Sequence, residues 1–306
     1  MDLSVNIGGL VLKNPFLVAS GVIGVSATLA GRVSRFGAGG VVSKSVGLKA
    51  REGYPGPNVV RVQCGLINAM GLPNPGVQEM VKDLRAMKGL GVPVIASIYG
   101  FSAEEYGEVA KLIEAGADVE GFELNLSCPT VHGTGLEIGT DPSKVREIVK
   151  AVREAVGDKL LIAKLTPNVT DIVSVGRAAE EGGVDGVTAI NTVRAMAIDI
   201  YLERPILSPG IGGLSGPAIK PIALRAVYEL YRNLHVPVIG CGGIISWRDA
   251  VEFLLAGASA VQIGTGILYR GFKIFREMKE GLSSYLEDKG IADVKSIIGR
   301  AHRIGV

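Results

Sequence analysis

One cysteine stands where chemistry is expected. Cys128 lies in ELNLSCPTVHGTGLEIGTDP, directly after an apolar β-type run and inside a long loop that contains several glycines. Cysteines kept for packing are usually buried; this one is carried on a loop between Ser127 and Pro129, where it can reach a substrate. A thiol with an ordinary pKa of about 8.5 can serve as a base at moderately alkaline pH, or sooner where its surroundings favour the thiolate. Covalent nucleophile is the other role open to it. Cys64 and Cys241 sit in apolar or glycine-rich surroundings and read as inert, and His132, on the Cys128 loop, reads as solvated. Three widely spaced cysteines with no CxxC pair argue against a disulfide framework or a zinc site, and fit a reducing cytoplasm.

A second set of polar residues follows apolar runs. Reading the carboxyl end of each run in turn gives Ser20, Lys44, Ser97, Asn125, Lys164, Asn191, Gly242–Gly243 and Gly264–Thr265. A lysine at such a place is held in a half-buried mouth, and a buried cation is costly without a partner. Two lysines and two asparagines together read as a site. The last two runs, VPVIGCGGI and SAVQIGTGIL, each end in a glycine-containing turn that opens a helix. Backbone N–H groups there can hold a phosphate, because glycine lets the ligand approach closely. Neither turn forms a GxGxxG, so the ligand expected is a phosphorylated cofactor or nucleotide without a dinucleotide fingerprint.

The elements that must position these residues are short and repetitive. Apolar, β-branched runs occur at Phe16–Ala19, Gly40–Ser43, Val92–Ile98, Gly121–Leu126, Leu160–Leu165, Val184–Asn191, Val236–Gly240 and Ser259–Ile263. Between them lie amphipathic helical stretches such as residues 103–116, 141–156 and 246–257. This alternation implies parallel strands joined by right-handed crossovers, and about eight such units close a (β/α)8 TIM barrel. A doubly wound open sheet is the alternative. VNIGGLVL, ahead of the first unit, reads as a β-hairpin turning at Gly8–Gly9 and plugging the bottom of the barrel. Three connections exceed simple turns: about Lys44 to Asn74, Cys128 to Thr140, and Thr192 to Gly216. Long loops of this kind are usually lids or binding loops.

Size and composition agree. The 306 residues suit one closed barrel, typically about 250 residues before insertions, and are read as a single domain, 1–306. Residues are 47% hydrophobic but only 5% aromatic, the composition of strands buried on both faces with aliphatic side chains. A net charge of +2 and the lack of a basic run with interleaved aromatics disfavour nucleic acid. The opening MDLSVNIGGLVLKNP has no basic segment leading into a long apolar run, so neither a signal peptide nor a membrane association is expected.

At this point the chain resembles the class 1B dihydroorotate dehydrogenases. The resemblance is carried by NPFLVASG (14–21), SKSVGLKAREGYPGPNVVR (43–61), INAMGLPNPG (67–76), ELNLSCP (123–129), KLTPNVTDI (164–172), INT (190–192), GGLSGPAIKP (212–221), GCGG (240–243) and IGTG (263–266). It implies FMN-dependent oxidation of dihydroorotate to orotate in pyrimidine nucleotide synthesis, with Cys128 as the base. The class 2 branch, which uses serine, is excluded by this cysteine. The FMN phosphate would lie at Gly242, Gly243, Gly264 and Thr265. Ser20, Lys44, Ser45, Ser97, Asn125, Ile190 and Gly216 would complete the flavin site. Lys164 would stand at the flavin N1/O2 edge, where a fixed positive charge favours the reduced ring. Lys44 and the stretch Asn68, Ala69, Met70, Gly71 and Leu72 would hold the pyrimidine and its carboxylate. Asn125, Asn191 and Thr192 would bond the amide edges, for which donor-and-acceptor side chains are suited.

Many relatives carry asparagine where this chain has Ser97 and Thr130; a hydroxyl keeps the bonding capacity with a shorter reach. The resemblance also implies a partner subunit carrying FAD and an iron–sulfur cluster, passing electrons to NAD⁺, with a homodimer of this chain inside a heterotetramer. Three cysteines are too few for a cluster that ordinarily takes four thiolates. A dihydrouracil-type flavin barrel is the neighbouring alternative. An FMN-free barrel using Cys128 as a nucleophile, as inosine-monophosphate dehydrogenases do, is the one from another class.

Overall fold

The computed structural model describes residues 1–22, 26–126 and 136–303, with the side chains of 136 and 137 excepted. Eight parallel strands close a barrel: β1 Phe16–Val18, β2 Gly40–Val42, β3 Val94–Ile98, β4 Gly121–Asn125, β5 Leu160–Leu165, β6 Gly186–Ala189, β7 Val238–Cys241 and β8 Ala258–Ile263. Each strand pairs with its neighbours in the chain order, and β8 returns to β1. An outer ring of helices alternates with them: α1 Ala27–Arg35, α2 Val77–Met87, α3 Ala103–Gly116, α4 Pro142–Val156, α5 Ile172–Gly182, α6 Lys220–Asn233, α7 Trp247–Leu255 and α8 Ile274–Asp288. The barrel expected from the alternation is therefore present, and the open sheet is not. Strand boundaries fall within two residues of the sequence expectation throughout.

Local chemistry explains the alternation. Every residue of β3, β4 and β5 is buried, as strands with the barrel interior on one face and helices on the other require. Several helices begin on side chains that accept from their first free N–H groups: Ser102 for α3, Asp141 for α4 with Pro142 in its first turn, and Asp171 for α5. In α4 the buried residues Val145, Ile148, Val149, Val152 and Val156 recur at three- and four-residue spacing, giving one apolar stripe toward the sheet.

Val5–Ile7 and Leu10–Leu12 pair antiparallel as a hairpin. Gly8 and Gly9 turn it with φ of 53° and 95°, angles that L side chains rarely adopt. Val5, Ile7 and Leu12 are buried while Asn6 and Val11 face out. Gly8 packs so tightly on Leu160 and Asp185, at the amino ends of β5 and β6, that a Cβ there would stand 2.5 Å from the Asp185 Cβ. The hairpin closes the bottom of the barrel, as the sequence suggested.

The structure adds an element at the other end. Within the connections after β2 and β6, Val59–Val62, Gly65–Asn68, Val193–Met196 and Ile211–Ser215 form one antiparallel sheet. Its central pairing joins Asn68 to Gly213 and Leu66 to Ser215. Ile67, Ala69 and Leu207 form a small separate core beneath it. These two stretches, read from sequence only as long loops, are one strap at the mouth of the barrel.

Candidate active site

The polar residues at the carboxyl ends of the strands meet. The Ser45 hydroxyl, just beyond β2, lies 2.8 Å from that of Ser97 in β3. Asn125, the last residue of β4, donates its amide to Ser45 Oγ at 3.2 Å. Asn191, just past β6, donates to Asn125 Oδ1 at 3.4 Å. Four strands thus contribute to one chain of hydrogen bonds across the mouth. Tyr106 of α3 donates to the Asn125 carbonyl at 2.9 Å, tying the outer ring to this network. Ser97 is completely buried, and its backbone N–H donates to Ser43 Oγ at 3.0 Å, so its reach is spent supporting Ser45.

Lys44 and Ser20 are half-buried on the adjoining side. A Cβ built on Gly21 would stand 3.9 Å from Lys44 Nζ, which puts the ammonium against the end of β1. Asn68, Ala69, Met70, Gly71 and Leu72 run from the strap sheet into this area, with Gly71 and Leu72 at φ of 73° and 56°. The stretch is braced by Asn74, whose buried amide donates to the Leu72 carbonyl at 2.9 Å and to the Tyr99 hydroxyl at 2.8 Å. On the opposite side the Thr192 N–H donates to Asn191 Oδ1 at 2.8 Å, and the Thr192 carbonyl accepts from Asn168 at 3.1 Å. Asn74, Tyr99 and Asn168 were not singled out from sequence. Their only signal was that they are polar residues in the connections after β2, β3 and β5.

The two glycine turns also lie at this end. Gly242 and Gly243 follow β7 with φ of 127° and 76°, and a Cβ on Gly243 would stand 2.7 Å from the Lys220 Cβ. Backbone geometry and packing therefore both require glycine at this turn. Gly264 differs: its φ is −103°, and an added Cβ would meet nothing nearer than the Ala19 Cβ at 3.6 Å. Among the described residues no atom crowds that position, so glycine leaves the backbone accessible on that side. Thr265 bonds Ser215 of the strap at 2.8 Å, and Gly216 is buried beside Gly65. Ile190 is buried, with its N–H on the Cys241 carbonyl at 2.8 Å.

Lys164 is the most unusual of these groups. It lies in β5 rather than beyond it, 4% exposed, and its ammonium points into the barrel. There it donates to Gln262 Oε1 at 2.7 Å and faces Glu123 Oε1 across 3.6 Å. Thr188 donates to Glu123 Oε2 at 2.9 Å, and the Gln262 amide donates to that same oxygen. Burial on its own would push the lysine pKa down; the Glu123 carboxylate outweighs it and holds Lys164 above the ordinary lysine range. Cys241 is buried close by, and desolvation pushes its thiol up against the pull of Lys164. This agrees with the inert reading of Cys241, whereas Cys64 is exposed at its turn, not enclosed by apolar groups.

Glu123, Thr188 and Gln262 come from β4, β6 and β8, alternate strands, as one interior layer of a barrel requires. Sequence reading passed over all three. The signal was available: Glu123 stands two residues before Asn125, on the same face of one strand.

Cys128, with Ser127, Pro129, Thr130 and His132, lies outside the described residues. Among the described residues no three His, Cys, Asp or Glu side chains converge as metal ligands, and no helix is long and apolar enough to cross a membrane.

Comparison with known proteins gives a consistent result. The family model described as dihydroorotate dehydrogenase matches residues 2–286. A protein of Pyrococcus abyssi named "Dihydroorotate dehydrogenase B (NAD(+)), catalytic subunit" is 56% identical over 302 residues, covering 99% of this chain and 100% of its own length. A protein of the same name from Pyrococcus furiosus is 54% identical over 304 residues, with 99% and 100% covered. Another of that name, from Methanocaldococcus jannaschii, is 46% identical over 304 residues, with 98% of each chain covered.

Proposed function

We propose that this chain, which belongs to the dihydroorotate dehydrogenase family, oxidises dihydroorotate to orotate with FMN as its cofactor and Cys128 as its base. One observation carries the reading: side chains from β1, β2, β4, β5 and β6, of the types that a flavin and a cyclic ureide need, converge at one end of one barrel. The residues fit FMN, since among the described residues nothing crowds the backbone at Gly264, and Lys164 supplies a buried cation.

In this reading Gly242, Gly243, Gly264 and Thr265 hold the phosphate through backbone N–H groups. Ser20, Lys44, Ser45, Asn125, Lys164, Ile190 and Gly216 line the ring, with Ser97 acting through Ser45. Bound in that site, FMN would supply the acceptor for the hydride leaving C6 of the substrate. Cys128 takes the proton from C5. Lys44 pairs with the substrate carboxylate, and Asn68 to Leu72 enclose the ring. Asn125, Asn191 and Thr192 offer donors and acceptors to its amide edges, so the two reacting carbons are held in register with the base. Lys164 keeps a fixed positive charge inside the barrel that favours the two-electron product.

The three relatives described above are named catalytic subunits of NAD(+) enzymes. On that support we extend the proposal to a separate electron-transfer subunit carrying FAD and an iron–sulfur cluster, joined to a dimer of this chain in the cytoplasm. The chain's three cysteines fall short of the four thiolates a cluster ordinarily takes.

The decisive experiment is an anaerobic spectrum of the purified chain before and after dihydroorotate, with dihydrouracil alongside. Bleaching of bound flavin by dihydroorotate alone is expected; a protein without flavin, or one bleached equally by dihydrouracil, refutes the assignment. C128S is expected to keep FMN and orotate binding while losing most turnover at neutral pH, and unchanged turnover would remove Cys128 from the mechanism. NAD⁺ reduction at full rate by the chain alone would refute the partner subunit.

A further inference from the structure

The interior layer beneath the mouth is built around a charge. Glu123 is completely buried. One of its oxygens accepts from Thr188 and Gln262. The other has no hydrogen-bond partner among the described residues and faces Lys164 across 3.6 Å. A bare carboxylate inside a barrel costs several kcal/mol unless it is paired, and an apolar residue would fill the same space without that cost. Lys164 is held from below by the same layer: one N–H goes to Gln262 and the ammonium leans on Glu123. Gln262 touches both partners, accepting from the lysine and donating to the glutamate, so the amide fixes their separation.

Resting on the flavin assignment above, we propose that Glu123 is a positioning residue that sets the height of the Lys164 ammonium and moderates the positive charge the barrel presents to the flavin. With Glu123 in place the buried pair is close to neutral overall, and the flavin meets a dipole with its positive end uppermost. Without the carboxylate the ammonium is uncompensated in acid and, its burial no longer outweighed by Glu123, gives up its proton more readily as pH rises. The layer therefore limits how strongly the protein favours the reduced ring, which suits an enzyme that must hand its electrons onward. Thr188 and Gln262 keep the carboxylate from turning away from the lysine.

The test is the reduction potential of bound flavin, read by anaerobic equilibration with a reference dye. Wild type is measured first for flavin content and reduction by dihydroorotate. E123Q keeps the shape of the side chain and removes its charge. At the acid end of a pH series, where Lys164 keeps its proton, its reduction equilibrium is expected to favour the reduced flavin by tenfold or more relative to wild type at the same pH, about 30 mV for a two-electron couple. This advantage is expected to shrink as pH rises and the unpaired lysine loses its proton. E123D, whose carboxylate is drawn back from Lys164, is expected to move two- to fivefold in the same direction, and it carries the test if E123Q does not fold. A residue that merely fills space would leave the potential of the bound flavin where it was. Variants that bind flavin normally and keep the wild-type potential would overturn the role of Glu123 alone. A wild type without flavin would overturn the functional assignment, and this proposal with it.

Discussion

Replacing Lys164 with methionine is expected to destabilise the fold by about 3–5 kcal/mol, because it strands a carboxylate in the barrel interior. Across the 3.6 Å between Lys164 Nζ and Glu123 Oε1, an effective dielectric of about 20 gives an attraction near 5 kcal/mol. Loss of the charge-assisted bond to Gln262 adds about 1.5–3 kcal/mol. Methionine, of similar length, returns part of this through apolar contact. The balance is dominated by Glu123, which keeps its bonds to Thr188 and Gln262 but loses its counter-charge. K164M/E123Q removes that stranded charge and is expected to recover about 2–3 kcal/mol of the loss, so the two sites couple strongly. Guanidinium denaturation of the flavin-free wild type, both single variants and the double variant measures the cycle. The reasoning fails if K164M lies within about 1 kcal/mol of wild type, or if the double variant is no more stable than K164M.

Other expectations follow from the supports of the mouth. N74A removes the bonds to Leu72 and Tyr99; it should cost about 1–3 kcal/mol and raise KM for dihydroorotate while flavin content holds, which kinetics and flavin absorbance check together. G243A combines a φ of 76° with a Cβ 2.7 Å from Lys220 and should lose about 2–4 kcal/mol and weaken FMN binding. G89A, at φ of 84° with nothing within 4 Å, should lose only about 1–2 kcal/mol and leave FMN affinity unchanged. Asp249 caps α7 and accepts from Ile245 and Ser246, just after the Gly242–Gly243 turn. Burial pushes its carboxyl up, but Lys220 and Ser246 outweigh it and hold the group below the ordinary range. Its contribution is then complete above about pH 3.9 and lost as pH falls through the lower folded value. The stability gap between wild type and D249N should stay near 1–2 kcal/mol between about pH 5 and 8, and close under stronger acid.

The barrel was legible because it is local. Each strand announces itself as a short β-branched run, and the helices as apolar stripes, four of them opened by Ser102, Asp141, Asp171 and Ser246. The polar groups of the mouth were legible too, since Lys44, Asn125 and Asn191 interrupt or end such runs. The strap was not. Gly65–Asn68 carries no sign that its partner strand, Ile211–Ser215, lies some 145 residues further on, and register between distant segments leaves no periodicity to read. The interior layer was missed for another reason: a residue's type is visible in sequence but its direction is not. Lys164 was read as belonging wholly to the mouth, whereas its ammonium is shared with Glu123 and Gln262 below.

The strap sheet has a consequence for engineering substrate choice. Asn68 is hydrogen-bonded to Gly213, and Thr192 directly precedes the strand Val193–Met196 that pairs with Ile211–Ser215. Residues proposed to grip opposite sides of the pyrimidine are thus woven into one fabric. A chimera that borrows only the β2–β3 connection from a homologue would tear that weave, while borrowing the β6–β7 connection as well would carry it across whole. Grafts at this mouth should therefore be made in pairs.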